Sequence, residues 1–565
     1  MKNLIDFEIN EKKSYKTFLN NFLSSKKKSS YKNFNLDEIT ISDNDYKVVK
    51  NLHKEIFNYI VPKIESYHKK KLNHSYWKII LYPWINALVN RIFILWKVFK
   101  KKKNFFDKVY SYSGKQFIPN SFNELNYNNN FHFNMWILSE IILFSKKSII
   151  VKHKINIKKK INLNKNKNLI YTFLHLINKF LPKNRIVIQK AQFGFWNLVK
   201  LMFKLGQIPN YLKENNFENK KTNLKLRKKF FSTNIKKKNL KNFIKNHLVF
   251  LIPKNYLENF NSIKQSIDNS YWPKKTKLII TGFDDWYNDY FKIWAAEQKY
   301  LNNSKYILVQ HGGKVGTEKI NSVVDTQIKI ADRYITWGWV KSKKTIPFYS
   351  ILVSRPLKTN YRNKKKIFYF QKVFDKYFNA IVTNPMSMKS KINNINLVND
   401  FYLNSNEEIK KNFILRYLKS FAENKTYYFN LINPKILKDE GNQILRNLVK
   451  EARVCIHDQG GTTFYETMSY NIPTILILGK NYINDLSEGA KKTYIQLEKN
   501  KIIFTSVKKA IEFLNNNYLL IENWWENQST QTARRNFCNK FIKKTNSPVN
   551  EYYKLINKLI KVNKF

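Results

Sequence analysis

Only two of the 565 residues are cysteine, Cys455 and Cys538, and only 13 are glycine and 13 proline. Two thiols far apart in the chain give neither a disulfide framework nor zinc-ligand spacing, so a reducing compartment is the expectation. Acid is also scarce. Forty Asp and Glu stand against 102 Lys and Arg, and no Asp or Glu falls between residues 141 and 213. The opening "MKNLIDFEINEKK" carries acids and lacks the apolar centre of a secretory signal. No long apolar run is free of polar residues: "IILYPWINALVNRIFILWKVF" (79–99) contains Pro83, Asn86, Asn90 and Arg91. A central Arg costs about 2.5–3.5 kcal/mol in a bilayer, and the spacing of Trp77, Leu81, Trp84, Leu88 and Leu95 predicts the buried stripe of a core helix.

What is present is charge and apolar bulk. A hydrophobic content of 43% is enough for packed cores, which excludes wholesale disorder. The formal charge of +62 would attract nucleic acid, anionic lipid or a polyanionic substrate. The excess is nearly all Lys and comes with abundant Asn, Ile, Phe and Tyr, residues of A/T-rich codons, so mutational bias alone can produce it. No nucleic-acid reader motif occurs, and no specific nucleic-acid partner is expected. Peripheral contact with an anionic membrane is the remaining charge-based partner. A non-catalytic basic protein that binds nucleic acid or an anionic membrane surface is the alternative function.

Four regions are expected: a mostly helical N-terminal region (1–133), a first Rossmann-like, acceptor-side domain (134–358), a second Rossmann-like, donor-binding domain (359–525), and C-terminal helices (526–565). A lysine-rich surface loop is expected at 151–169. Strands are predicted at "RIVIQ", "HLVFLIP", "KLIITGF", "YILVQHGG" and "DRYITWGW", with helices at "FWNLVKLMFKLGQIP" and "NDYFKIWAAEQKYL". After "KTNYRNKKK" the pattern restarts. Strands are predicted at "KIFYF", "FNAIVTN", "KTYYFNLI", "ARVCIHD", "PTILIL" and "KIIFTS", and helices at "EEIKKNFILRYLKSF" and "TTFYETMSYN". Short strands alternating with helices predict an α/β chain with two parallel, doubly wound Rossmann-type domains facing a cleft. Ligands of such sheets bind beyond the carboxyl ends of the strands.

Two stretches place polar residues at such ends. In "ARVCIHDQGGTTFYE", His457 and Asp458 follow a buried strand, Gly460 and Gly461 make a tight turn, and Thr462 and Thr463 open a helix. Free amides, the positive helix end and two hydroxyls suit a diphosphate, with Glu466 one turn on for a ribose hydroxyl. The plainer alternative is a capped helix with turn glycines. In "YILVQHGGKVG", Gln310 and His311 follow a strand, and Gly312, Gly313 and Gly316 would let a ligand lie against bare backbone. His311 is the candidate general base for an acceptor hydroxyl. His457 orients its loop or binds substrate. "DND" and "DDWYND" have no His or Cys partners at ligand spacing, so no metal is expected, and Asp289 with Lys292 reads as a surface pair.

With "SYWKIILYPWI" upstream, "NDYFKIWAAEQ", "YILVQHGGKVG" and "ADRYITWGW" in the middle and "DQGGTTFYETMSYNIPTILIL" downstream, the sequence resembles a transferase family of O-antigen and surface-carbohydrate gene clusters. That family is similar to CDP-glycerol glycerophosphotransferases and other GT-B-type glycosyltransferases. The resemblance implies a GT-B-like fold with a helical N-terminal region and donor phosphates on the 460–463 turn. It further implies Glu466 on the ribose or sugar and His311 facing the acceptor. It implies an enzyme that moves a sugar or polyol phosphate from a nucleotide-linked donor to a glycan or lipid-linked acceptor; the expected location is the cytoplasm, with the basic charge adding peripheral contact at the inner face of the membrane. No cofactor is implied. Lys314 and Val315 stand where an aromatic residue or glycine is more usual.

Overall fold

The computed structural model describes residues 41–101, 108–110, 113–127, 130–145, 149–151, 177, 180–209, 212–233, 235–354, 357, 359–371, 388–417, 432–439, 441 and 443–562. The loop expected at 151–169 and the strands expected at "FNAIVTN" and over most of "KTYYFNLI" lie outside them.

Helix α1 (Asp43–His68) starts at a capping box, in which the Ser42 hydroxyl accepts from the Asp45 amide and the Asp45 carboxylate accepts from the Ser42 amide. Val49, Ile56, Ile60 and Ile64 bury one face of α1. Against it packs α2 (His74–Lys101), a helix long and apolar enough to cross a membrane, whose apolar stretch is wholly buried inside the protein. The polar residues that argue against a bilayer have work here. Asn86 Nδ2 donates to Ser322 O at 2.7 Å, Asn90 Nδ2 donates to Ser322 Oγ at 2.9 Å, and the His53 ring lies 3.1 Å from Asn90 Oδ1.

A short parallel pair, β1 (Lys108–Tyr110) and β2 (Ile149–Val151), precedes the first large sheet. That sheet contains β3 (Ile186–Gln189), β4 (Leu278–Thr281), β5 (Lys305–Val309), β6 (Arg333–Thr336) and β7 (Thr345–Pro347), all parallel and in chain order. Helices α3 (Phe195–Lys204) and α4 (Leu240–Leu251) fall between β3 and β4. Helix α5 (Asp289–Asn302) joins β4 to β5, and α6 (Ser322–Ile330) joins β5 to β6. Side chains alternate across the sheet. Ile279, Tyr306, Leu308 and Tyr334 face the core shared with α2, α5 and α6, while Leu278, Ile280, Ile307 and Val309 face the other side. One expectation fails: "HLVFLIP" is not a strand but the end of α4. Asn239 caps that helix through the Asn242 amide at 3.0 Å, and Phe243, Ile244, Leu248 and Leu251 bury one helical face.

The second sheet is built from β8 (Lys366–Phe370), β9 (Phe413–Arg416), β10 (Leu437–Asp439), β11 (Ala452–His457), β12 (Thr474–Ile477) and β13 (Ile503–Phe504). Its order is β10-β9-β8-β11-β12-β13, all parallel. The winding therefore reverses between β8 and β11, and the crevice of such a sheet opens at that reversal. A second expectation fails here. The helix expected across "EEIKKNFILRYLKSF" stops at Asn412, and Phe413 and Leu415 bury themselves in β9 beside β8.

Helix α7 (Thr462–Ser469) leaves β11, α8 (Glu488–Lys499) packs beside β13, and α9 (Gln528–Phe541) covers both helices. The chain then returns to the first sheet, where Lys543 N donates to Trp337 O at 2.9 Å and Ser350 N donates to Lys543 O at 2.7 Å. Helix α10 (Pro548–Lys561) lays Tyr552, Leu555, Ile556 and Leu559 on that sheet's outer face. At about 1.5–3 kcal/mol per fully buried large apolar side chain, those four residues make α10 part of the first sheet's core.

Candidate functional site

The loops after β5 and β11 both leave the carboxyl ends of their strands, and they meet. Gly313 N donates to Thr462 Oγ1 at 2.9 Å. A Cβ on Gly313 would lie 2.9 Å from the carbonyl carbon and oxygen of Gly461, and one on Gly312 would lie 3.2 Å from Thr462 Oγ1. A Cβ on Gly316 would run into the Trp339 indole, and one on Gly460 would meet Tyr494 OH at 3.3 Å. Gly313 and Gly316 thus clear room for this protein's own chain, where the sequence reading had a ligand against bare backbone.

Gln310 is a second correction. Its side chain is buried, with Oε1 accepting from Trp337 N at 2.9 Å and from Trp339 Nε1 at 2.8 Å. Nε2 donates to Gly312 O at 2.7 Å. The amide ties the Trp-Gly-Trp stretch to the loop, where the expectation was a polar group delivered to a ligand. His311 differs. It is partly buried, its ring stands edge-on to Phe283 with centroids 5.6 Å apart, and its carbonyl accepts from Gln192 Nε2 at 2.5 Å. Ring atom Nδ1 is buried with no hydrogen-bond partner among the described residues. Burial pushes the imidazole pKa down, which keeps the ring neutral near pH 7.

The second loop separates structural from available groups. His457 is fully buried and stacked on Phe370, with ring centroids 4.7 Å apart, and burial pushes its pKa down to about 3. Thr467 Oγ1 donates to Phe464 O at 3.0 Å and lies 3.1 Å from His457 Nε2, so Nε2 carries the ring proton. Nδ1 then accepts from the Thr463 hydroxyl at 3.4 Å. His457 and the Thr463 hydroxyl are therefore spent on fixing β11 to α7, which is the loop-orienting alternative for His457 and goes against the expectation that Thr463 binds substrate. Gly461 caps α7 with no side-chain bond, so no side chain satisfies the first-turn amides, and Thr462 Oγ1, which accepts from Gly313 N, keeps its own proton. Asp458 is partly exposed at the strand end, and Glu466 is buried one turn into the helix.

Comparison with known proteins matches the LIC12162 family transferase description to residues 15–556. The chain belongs to this transferase family. No curated protein matches it. Among solved structures, the wall teichoic acid polymerase TagF is similar at 12% identity, over 55% of this chain and 76% of that one, with a TM-score of 0.32. MurG of Acinetobacter baumannii is similar at 11% identity, over 67% of this chain and all of that one, with a TM-score of 0.34.

Several residues around the site of this transferase had no sequence signal. The arm at 312–319 leaves β5 but docks on the second sheet's elements. Lys319 N donates to Asp485 O at 2.9 Å, Ser487 N to Thr317 O at 2.8 Å, and Ser487 Oγ to Gly316 O at 3.0 Å. Thr317 Oγ1 lies 3.0 Å from Tyr465 OH. Burial works to lower the Lys314 pKa, but its 2.6 Å ion pair with Glu318 raises it. On the other side of His311, Lys190 Nζ donates to buried Asp284 at 2.6 Å. The pair read as a surface feature, Asp289 with Lys292, is buried: Lys292 Nζ sits 2.9 Å from Asp289 Oδ1 and donates to Tyr256 OH at 2.8 Å. Among the described residues no three His, Cys, Asp or Glu side chains converge on a point that could hold a metal ion.

Proposed function

We propose that this enzyme has the GT-B-like arrangement and transfers a sugar or polyol phosphate from a nucleotide-activated donor to a surface polysaccharide or its lipid-linked precursor. The observation that carries the reading is the Gly313–Thr462 contact. It brings a neutral histidine with a buried, unpartnered ring nitrogen within two residues of an uncapped helix N-terminus. In this scheme His311 takes the proton of the acceptor hydroxyl as its oxygen attacks the donor. The bond from the transferred group to the donor phosphate breaks, and the negative charge grows on the leaving phosphate. The α7 amides and the Thr462 proton stabilise that charge, and Asp458 and Glu466 are assigned to the nucleoside or sugar. The donor is a substrate, no cofactor enters the scheme, and free Cys455 and Cys538 suit the cytoplasm.

The test is a transfer or donor-hydrolysis assay on His311→Ala. Loss of a general base lowers kcat by about 10²–10⁴-fold with little change in donor KM. Near-wild-type kcat would remove His311 from the mechanism.

A further inference from the structure

Helix α3 is apolar on two faces. Leu201 and Met202 are buried, and Leu201 packs on the first sheet's outer face. Trp196 at 72% and Phe203 at 60% are exposed on the opposite face and Phe195 at 64% at the helix start, with Ile208 just beyond the helix also exposed. Such aromatic exposure on a helix already anchored to a core marks an interaction surface. Lys200 lies among these aromatics, Lys204 Nζ is turned to Asn550 Oδ1 on α10 at 2.6 Å, and no acid occurs in the sequence from 141 to 213. A cavity of about 470 Å³ opens beside them, lined by Phe193, Phe195, Trp196, Lys200, Pro548 and Val549 among others. None of the candidate site residues lines it.

We infer that α3 is a membrane-docking element, inserting Phe195, Trp196 and Phe203 into the interface of an anionic bilayer while Lys200 meets the lipid phosphates. The charge selects this occupant. Aromatic residues interleaved with Lys on one helix face fit the boundary between acyl chains and anionic headgroups. A second copy of a chain with formal charge +62 would bring like charge against like. The helix follows β3 through a turn in which Gln192 holds the His311 carbonyl at 2.5 Å. A docked α3 therefore keeps the His311 loop close to the bilayer surface, where a lipid-linked acceptor would sit. That last consequence rests on the proposed transfer reading; the docking does not.

The experiment is co-sedimentation of the full chain with vesicles of phosphatidylglycerol and phosphatidylcholine, with phosphatidylcholine alone as control, at low and raised salt. Wild type should bind the anionic vesicles and keep part of that binding when salt screens the remaining surface. Trp196→Ser with Phe203→Ser should lower the partition coefficient about a hundredfold. Lys200→Gln should lower it about fivefold. Both aromatic positions are exposed, so the variant should unfold at the wild-type temperature. Equal sedimentation of wild type and double variant at raised salt would overturn the inference. So would an aromatic-dependent dimer in light scattering, or an equal loss of single-stranded oligonucleotide binding in the double variant. A failed transfer assay on His311→Ala would leave the docking result standing.

Discussion

Replacing Gln310 tests whether the histidine loop is built as described. Its amide accepts from Trp337 N at 2.9 Å and Trp339 Nε1 at 2.8 Å, and donates to Gly312 O at 2.7 Å. Both tryptophans are buried, so in Gln310→Ala no water replaces the lost acceptor. Each buried donor left without a partner costs about 1–3 kcal/mol, so two of them give roughly 4 kcal/mol before the unpaired Gly312 carbonyl and the cavity are added. That is a large part of a typical domain stability of about 5–15 kcal/mol. Thermal unfolding followed by tryptophan fluorescence should show a clearly lowered midpoint. Gln310→Met, which keeps the volume and loses the hydrogen bonds, should recover only the cavity portion. Neighbouring His311→Ala should lower the midpoint less, because it loses the edge-on contact with Phe283 but ring atom Nδ1 has no partner to lose. A wild-type midpoint for Gln310→Ala would refute the reasoning, as would full rescue by Met.

Gly313→Ala would press a Cβ against the backbone of Gly461 and Thr462 at 2.9 Å, where no side chain can rotate away. It should part the two loops and raise donor KM at least about tenfold, while Gly489→Ala, with open space around it, should leave KM unchanged. Acid should destabilise the fold before ordinary carboxylates titrate. Burial depresses His53 and His457 to about 3 and His68 to about 4, so the unfolded chain takes up three protons that the native state refuses, while lowered His311 and raised Glu214 act in opposite senses. Asp285, raised by burial to about 6, opposes them by binding one proton in the native state. The balance near pH 5 is about two protons, or roughly 2.7 kcal/mol per pH unit, with stability rising as pH rises. A melting temperature that stays flat between about pH 5 and 6.5 would contradict the burial of these histidines.

Strand positions were legible where β-branched runs are flanked by turn residues, as in β4, β5, β11 and β12, because a strand buried on both faces has few other sequences. Two misreadings have the same cause. Residues 247–253 and 413–416 are apolar runs too short to show a period, and only their neighbours decide them: the Asn239 cap draws the first into α4, while pairing with β8 draws the second out of a helix. The orientation of Gln310 was within reach of simple counting. Tyr306 and Leu308 face the inner core, so alternation sends Gln310 to the same side, toward Trp337 and Trp339. His311 shares the parity of Ile307 and Val309 and so turns away from that core. What the glycines make room for was not legible. A missing Cβ permits close approach by a ligand or by another loop, and residue 313 is 149 positions from the threonine it meets.

The contact between the loops and the proposed anion site draw on one atom, and hydroxyl chemistry lets both stand. A threonine hydroxyl has two acceptor lone pairs and one proton. Gly313 N uses an acceptor lone pair of Thr462 Oγ1, so the proton is still available to point toward a phosphate oxygen. Thr463 has no such freedom, because the proton on His457 Nε2 forces the Thr463 proton onto Nδ1. Of the two adjacent hydroxyls that look equivalent in the sequence, one closes the turn from inside. The other links the histidine loop to the helix end with its proton left over, so the same residue can hold the two lobes together and receive the donor.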